Sequence, residues 1–100
     1  MAENNQFITI KPQINDFTKE VDAYVEQLPV VIREQMRQAL YQEYEENYAQ
    51  EEALCREMLE KLPDHPEVLS LLGRCLFSQR KFAEAREVLE KVLAIDPGLK

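Results

Sequence analysis

The chain has 100 residues, 45% of them hydrophobic, which suffices for one small domain and leaves little room for a large enclosed active site. It carries 19 acidic against 12 basic residues, and the net charge of −7 opposes phosphate backbones and anionic bilayers, so neither nucleic acid nor a membrane is expected as a partner. No apolar run approaches membrane-spanning length, and residues 1–14 lack the basic start and apolar core of a signal peptide. A cytoplasmic protein is expected.

In chain order, FITIKP alternates apolar and polar residues from Phe7 to Lys11 and then meets Pro12. That pattern suits an edge strand or a flexible arm, and with no second strand-like run to pair with, residues 1–14 read as an arm. Residues 15–100 read as a single all-α domain. The first helix is expected over residues 16–28, where Phe17, Val21, Tyr24, Val25 and Leu28 recur at helical spacing until Pro29 interrupts them. Pro29 suits the opening of a second helix with the stripe Ile32, Met36, Leu40 and Tyr44. The stripe then weakens in EENYAQEEA. Asn47 in a left-handed conformation would end this helix and let Tyr48 open the next, although one helix over residues 29–62 is the alternative.

Further on, DHPE places Asp64 and Glu67 at the spacing of a capping box, so His65, the single histidine, reads as part of a helix start rather than as a general base. Cys55 and Cys75 are too few and too far apart for a metal cluster or a redox pair. Both fall on apolar stripes and read as small buried side chains. Glutamate runs such as EYEEN and QEEA look like solvated helix faces. No acid–base, nucleophilic or metal-binding constellation emerges, so neither an enzyme nor a cofactor is expected.

Setting YAQEEALCREMLEKLP (residues 48–63) above FAEAREVLEKVLAIDP (residues 82–97) aligns an aromatic, an alanine, several apolar positions and a closing proline at an offset of 34. That period belongs to helix–turn–helix solenoid units, and it favours the break near Asn47. The sequence here resembles the tetratricopeptide repeat family. Leu72-Gly73 stands where that family has its Leu-Gly pair, with Leu69 in place of the usual Trp and Leu76 in place of Tyr, while Ala85, Leu89 and Pro97 continue the pattern. The resemblance is closest over residues 66–97 and looser over 32–63, where Gln38 and Ala39 replace the Leu-Gly pair and Glu51 replaces the small residue of the second helix. Helix axes approach closely where a side chain is small, so Gly73 and Ala85 are expected at the helix contact, which must offset about 1 kcal/mol of lost helix propensity at the glycine. The turn SQRK lacks the frequent glycine, and no polar capping helix precedes Lys100. The first helix is expected to cover one end of a short stack of antiparallel helix pairs. The last helix, with Val88, Val92 and Ile95, is left open to self-association or to further repeats of a longer array.

The resemblance implies a non-catalytic scaffold in which the first helix of each pair lines a concave surface for a partner's extended or helical segment. Carried onto this chain, the groove-facing residues would be Met36, Arg37, Leu40 and Tyr44 in the first pair and Ser70, Arg74, Phe77 and Ser78 in the second. Arg37 and Arg74 would share a channel flanked by Tyr44 and Phe77, suited to an acidic segment with an apolar anchor. Helix-surface decoration or packing is the competing reading for each residue. The Lys and Asn set with which some members clamp a chaperone's terminal carboxylate is missing from the closer repeat. A bacterial secretion-type chaperone with one obligate client is the alternative role.

Overall fold

The computed structural model describes residues 14–97, so the FITIKP segment lies outside the described residues. These fold into helices α1 (Ile14–Val25), α2 (Val30–Tyr44), α3 (Tyr48–Lys61), α4 (Pro66–Ser78) and α5 (Phe82–Ile95). No strand occurs among the described residues, and no helix there is long and apolar enough to cross a membrane. The packing order is sequential, α1 on α2, α2 on α3, α3 on α4 and α4 on α5.

α1 stops at Val25, earlier than its apolar period suggests, and the chain tightens before Pro29 into bonds from the Gln27 amide to Tyr24 and from the Leu28 amide to Val25. Leu28 is nevertheless buried, brought in by a turn that Arg33 clamps through its side-chain bonds to the Leu28 and Glu26 carbonyls at 2.7 and 2.9 Å. The region 29–62 is two helices. The left-handed residue that separates them is Glu46, with φ 62°, and not Asn47, whose φ of −95° belongs to the cap of α3. The Asn47 amide bonds back to Gln42 and the Glu46 amide to Glu43, the paired closure of a helix end that requires one residue in the left-handed region.

The same turn recurs 34 residues later. Arg80 has φ 65°, its amide bonds to Phe77, and the Lys81 amide bonds to Leu76. The helix-ending residues Leu62 and Asp96 agree as well, at φ −135° and −140°. The backbone thus repeats at the interval read from the side chains. At the start of α4, Pro66 occupies the first turn and His65 the cap, but no side chain caps the helix. The capping box expected from Asp64 and Glu67 does not form. Proline has no N–H to satisfy at that position, and Glu67 accepts a hydrogen bond from the Tyr24 hydroxyl instead.

The core runs through all five helices, with Val25, Ile32, Met36, Met58, Val68, Leu72 and Leu76 buried in it. In the second pair, a Cβ on Gly73 would lie 2.5 Å from Leu89 Cδ2, so the glycine is what lets α5 lie this close. Ala85 is buried in the core as well. The first pair solves the same contact with other volumes. Ala39 and Cys55, both fully buried, stand where the second pair has Gly73 and Leu89.

Candidate functional site

The eight residues expected to face a groove are divided by α1. Met36, carried over from the family resemblance, is 1% exposed and belongs to the core, so it offers nothing to a partner; with Ile32 it forms the part of the apolar stripe that packs inward. Tyr44 lies against Phe17 of α1, ring centroids 4.6 Å apart, and near Tyr41 at 6.4 Å. Leu40 is half-buried against the core. Arg37 is paired with Asp22 of α1 and with Glu34 one turn back. The first helix therefore does more than cover one end. It lies along α2 and reaches α4 through the Tyr24 hydroxyl and Glu67.

On α4, Ser70 is half-buried, Ser78 is exposed, and Arg74 reaches across to the Glu43 carboxylate of α2 at 3.2 Å. Arg37 and Arg74 thus each hold a carboxylate, one on α1 and one on α2. Phe77 packs edge-on against Phe82 of α5 at 5.1 Å, whereas Tyr44 belongs to the Phe17 and Tyr41 cluster. The aromatic flanks of the expected channel sit in separate ring clusters.

Glu51, from the run QEEA, is not on a solvated face. It is 0% exposed, and neither carboxylate oxygen has a hydrogen-bond partner. Around it stand Glu43 of α2, Cys55 one turn on, and Arg74 and Cys75 of α4. The Cys75 thiol donates to the Tyr48 carbonyl at 3.0 Å, which leaves the carboxylate without that proton. Burial first, and the charge of Glu43 second, push Glu51 up to about 7, offset in part by the charge of Arg74. Burial, followed by Glu51, raises Cys75 to about 12 and Cys55 further, so both thiols are free, protonated and inert. Full enclosure keeps any substrate from Glu51, and the raised pKa is a consequence of packing rather than the mark of a general acid. The neighbouring Glu52 behaves oppositely. Burial would raise it, but hydrogen bonds from Gln79, Arg56 and Lys81 bring it down to about 2.

Two concave surfaces stand out among the described residues. A cleft of about 350 Å³ between α1, α2 and α3 is lined by Phe17, Val21, Tyr41 and Leu54, with Arg37 and Gln50 at its polar side. An open groove of about 320 Å³ at the far end is lined by Phe77, Phe82, Ala85, Leu89 and Leu93. The chain sequence signalled the second only in part. Val92, expected on the open face, is buried, while Leu89 and Leu93 take the outer positions.

Compared with known proteins, the chain matches the model of the tetratricopeptide repeat family over residues 38–99, from the middle of α2 through α5. Neither a curated protein nor a solved structure matches it. Members of this family generally bind other proteins and generally carry no catalysis. With the turn geometry repeating at 34 residues and the family pattern spanning more than half its length, the chain belongs to the tetratricopeptide repeat family.

Proposed function

We propose that the chain is a non-catalytic interaction module that takes up a segment of a partner protein along the first helices of its two pairs, α2 and α4. The observation that supports this best is the seat of α1. An acidic, amphipathic helix already lies on this surface, anchored by Phe17 on Tyr44 and by Asp22 on Arg37. A face that holds one such helix offers the same kinds of contact to another, and α4 extends it with Ser70 and Arg74. The Arg74 side chain is 57% exposed, and its exposed pair with Glu43 is worth at most about 1 kcal/mol, so a partner's carboxylate can exchange for Glu43 at little cost. A dedicated chaperone is the narrower form of this reading, and it would show as a single client recovered in stoichiometric amount.

The experiment uses the full chain as bait, followed by affinity measurement of the identified partner segment against the wild type and Arg74→Glu. The variant is expected to lose at least about tenfold in affinity, or roughly 1.4 kcal/mol, with a shallower salt dependence and a stability lowered by no more than about 1 kcal/mol, the scale of the exposed Glu43 pair it gives up. Unchanged affinity and salt dependence would contradict the assignment. Arg37→Glu is a poorer probe, because Arg37 also holds α1 through Asp22.

A further inference from the structure

The outer face of α5 repeats, 34 residues on, the face that α3 presents to α4. On α3 that face carries Tyr48, Glu52 and Cys55, and α4 closes over it. The Cys75 thiol donates to the Tyr48 carbonyl at 3.0 Å, and the Gln79 amide and Lys81 ammonium donate to the Glu52 carboxylate at 2.8 and 3.1 Å. The counterparts on α5 are Phe82, Arg86 and Leu89, with Leu93 continuing the face as Leu59 does on α3. Among the described residues, no helix closes over them as α4 closes over α3. Phe82 and Leu93 are each 51% exposed and line the open groove with Phe77.

Because the turns that precede α3 and α5 have the same backbone, α5 leaves its own pair in the orientation in which α3 leaves its pair. The groove is therefore the seat of an α4-like helix, moved on by one repeat. Charge specifies that helix further. Where α3 has Glu52, answered by Gln79 and Lys81, α5 has Arg86, whose side chain is 81% exposed and pairs with Glu90 at 3.2 Å on its own helix. A helix seated here would answer Arg86 with a carboxylate near its C-terminal end, at the position that Gln79 holds on α4.

Within this chain, α2 has that character, since Glu45 stands 34 residues before Gln79. But α2 is engaged by α1 through Tyr44 and Arg37, so a second copy could present it only by first releasing α1. We propose that the groove of Phe77, Phe82, Leu89 and Leu93 docks an amphipathic helix of another protein, with an aliphatic stripe and an acidic residue near its C-terminal end facing Arg86. This surface is distinct from the α2 and α4 face, and either assignment can fail without the other.

The test titrates the full-length, isotope-labelled chain with two synthetic peptides copying residues 66–79 of α4, one with Gln79→Glu and one with Gln79→Lys. The amide shifts should fall on α5 and Phe77, and the Glu peptide should bind at least about fivefold more tightly than the Lys peptide. The preference should reverse on the Arg86→Glu chain, which remains folded because that side chain is largely in solvent. Shifts on α3 or around Ser70 instead of α5, no binding, or equal affinity for the two peptides would overturn the proposal. So would a dimer of the unliganded chain in sedimentation that Leu93→Lys abolishes, since a second copy would then be the occupant.

Discussion

The two helix pairs share a backbone and differ in what they enclose. Glu46 and Arg80 take φ of 62° and 65° at equivalent turns, and Asn47 and Lys81 take −95° and −89°. Inside, the second pair sets Gly73 against Leu89 and buries Ala85, whereas the first buries Ala39 and Cys55 and encloses the Glu51 carboxyl at the alanine's position. The lesson is that the repeat is enforced by turn geometry and by total volume at each contact, while the chemistry of a given position is free to change. A carboxyl is tolerated where its neutral form can be buried, at a cost that depends on pH.

The largest effect expected from this comparison is at the tight contact of the second pair. A Cβ at Gly73 already falls within 2.8 Å of both Leu89 Cγ and Cδ2, so Gly73→Leu must push α5 away or displace Leu89 into solvent. We expect a loss of at least about 3 kcal/mol in urea unfolding, and a midpoint close to the wild type's would break the argument that Gly73 sets the helix spacing.

Next comes pH, which acts on the first pair. A carboxyl raised from 4.5 to about 7 binds more protons folded than unfolded, so its contribution is complete below about 4.5 and is lost as pH rises through 7. The loss amounts to roughly 3 kcal/mol for a shift of this size. Glu52 has the opposite sign. Lowered to about 2, it stabilises above its unfolded value of 4.5 and loses that contribution as the pH falls below it. Together they place maximal stability near pH 5, and a wild-type stability that instead rises from pH 5 to 8 would show that Glu51 is not enclosed as described. The smallest effect is expected at Glu45, exposed at the end of α2, where Glu45→Leu should change stability by no more than about 0.5 kcal/mol. A larger change would mean that this turn depends on the identity of its exposed side chains.

Much of this was legible in the sequence, and particular residues show why the rest was not. The helix order, the break before Tyr48 and the burial of Gly73, Ala85, Cys55 and Cys75 follow from periodicity and the 34-residue register. Glu51 shows two signals in conflict. Its charge and its neighbours suggested solvent, but its register with Ala85 called for burial, and register prevailed because it reflects the whole helix packing. The left-handed residue fell on Glu46 rather than the more tolerant Asn47, because the hydrogen bonds closing α2 fix which position must turn. The seat of α1 was the least accessible. It has no counterpart in the repeat, so no register placed it against Tyr44 and Arg37, and that contact is what divides the expected groove residues.

The two pairs follow one packing plan, with an enclosed carboxyl, Glu51, in the first where the second has an alanine, Ala85. Urea unfolding of the wild type and Glu51→Gln between pH 5 and pH 8 tests it most directly, because glutamine keeps the volume and cannot ionise. The wild type is expected to lose roughly 3 kcal/mol over this range while the variant stays nearly level, so that the variant is the more stable protein at pH 8. The same slope in both proteins would contradict it.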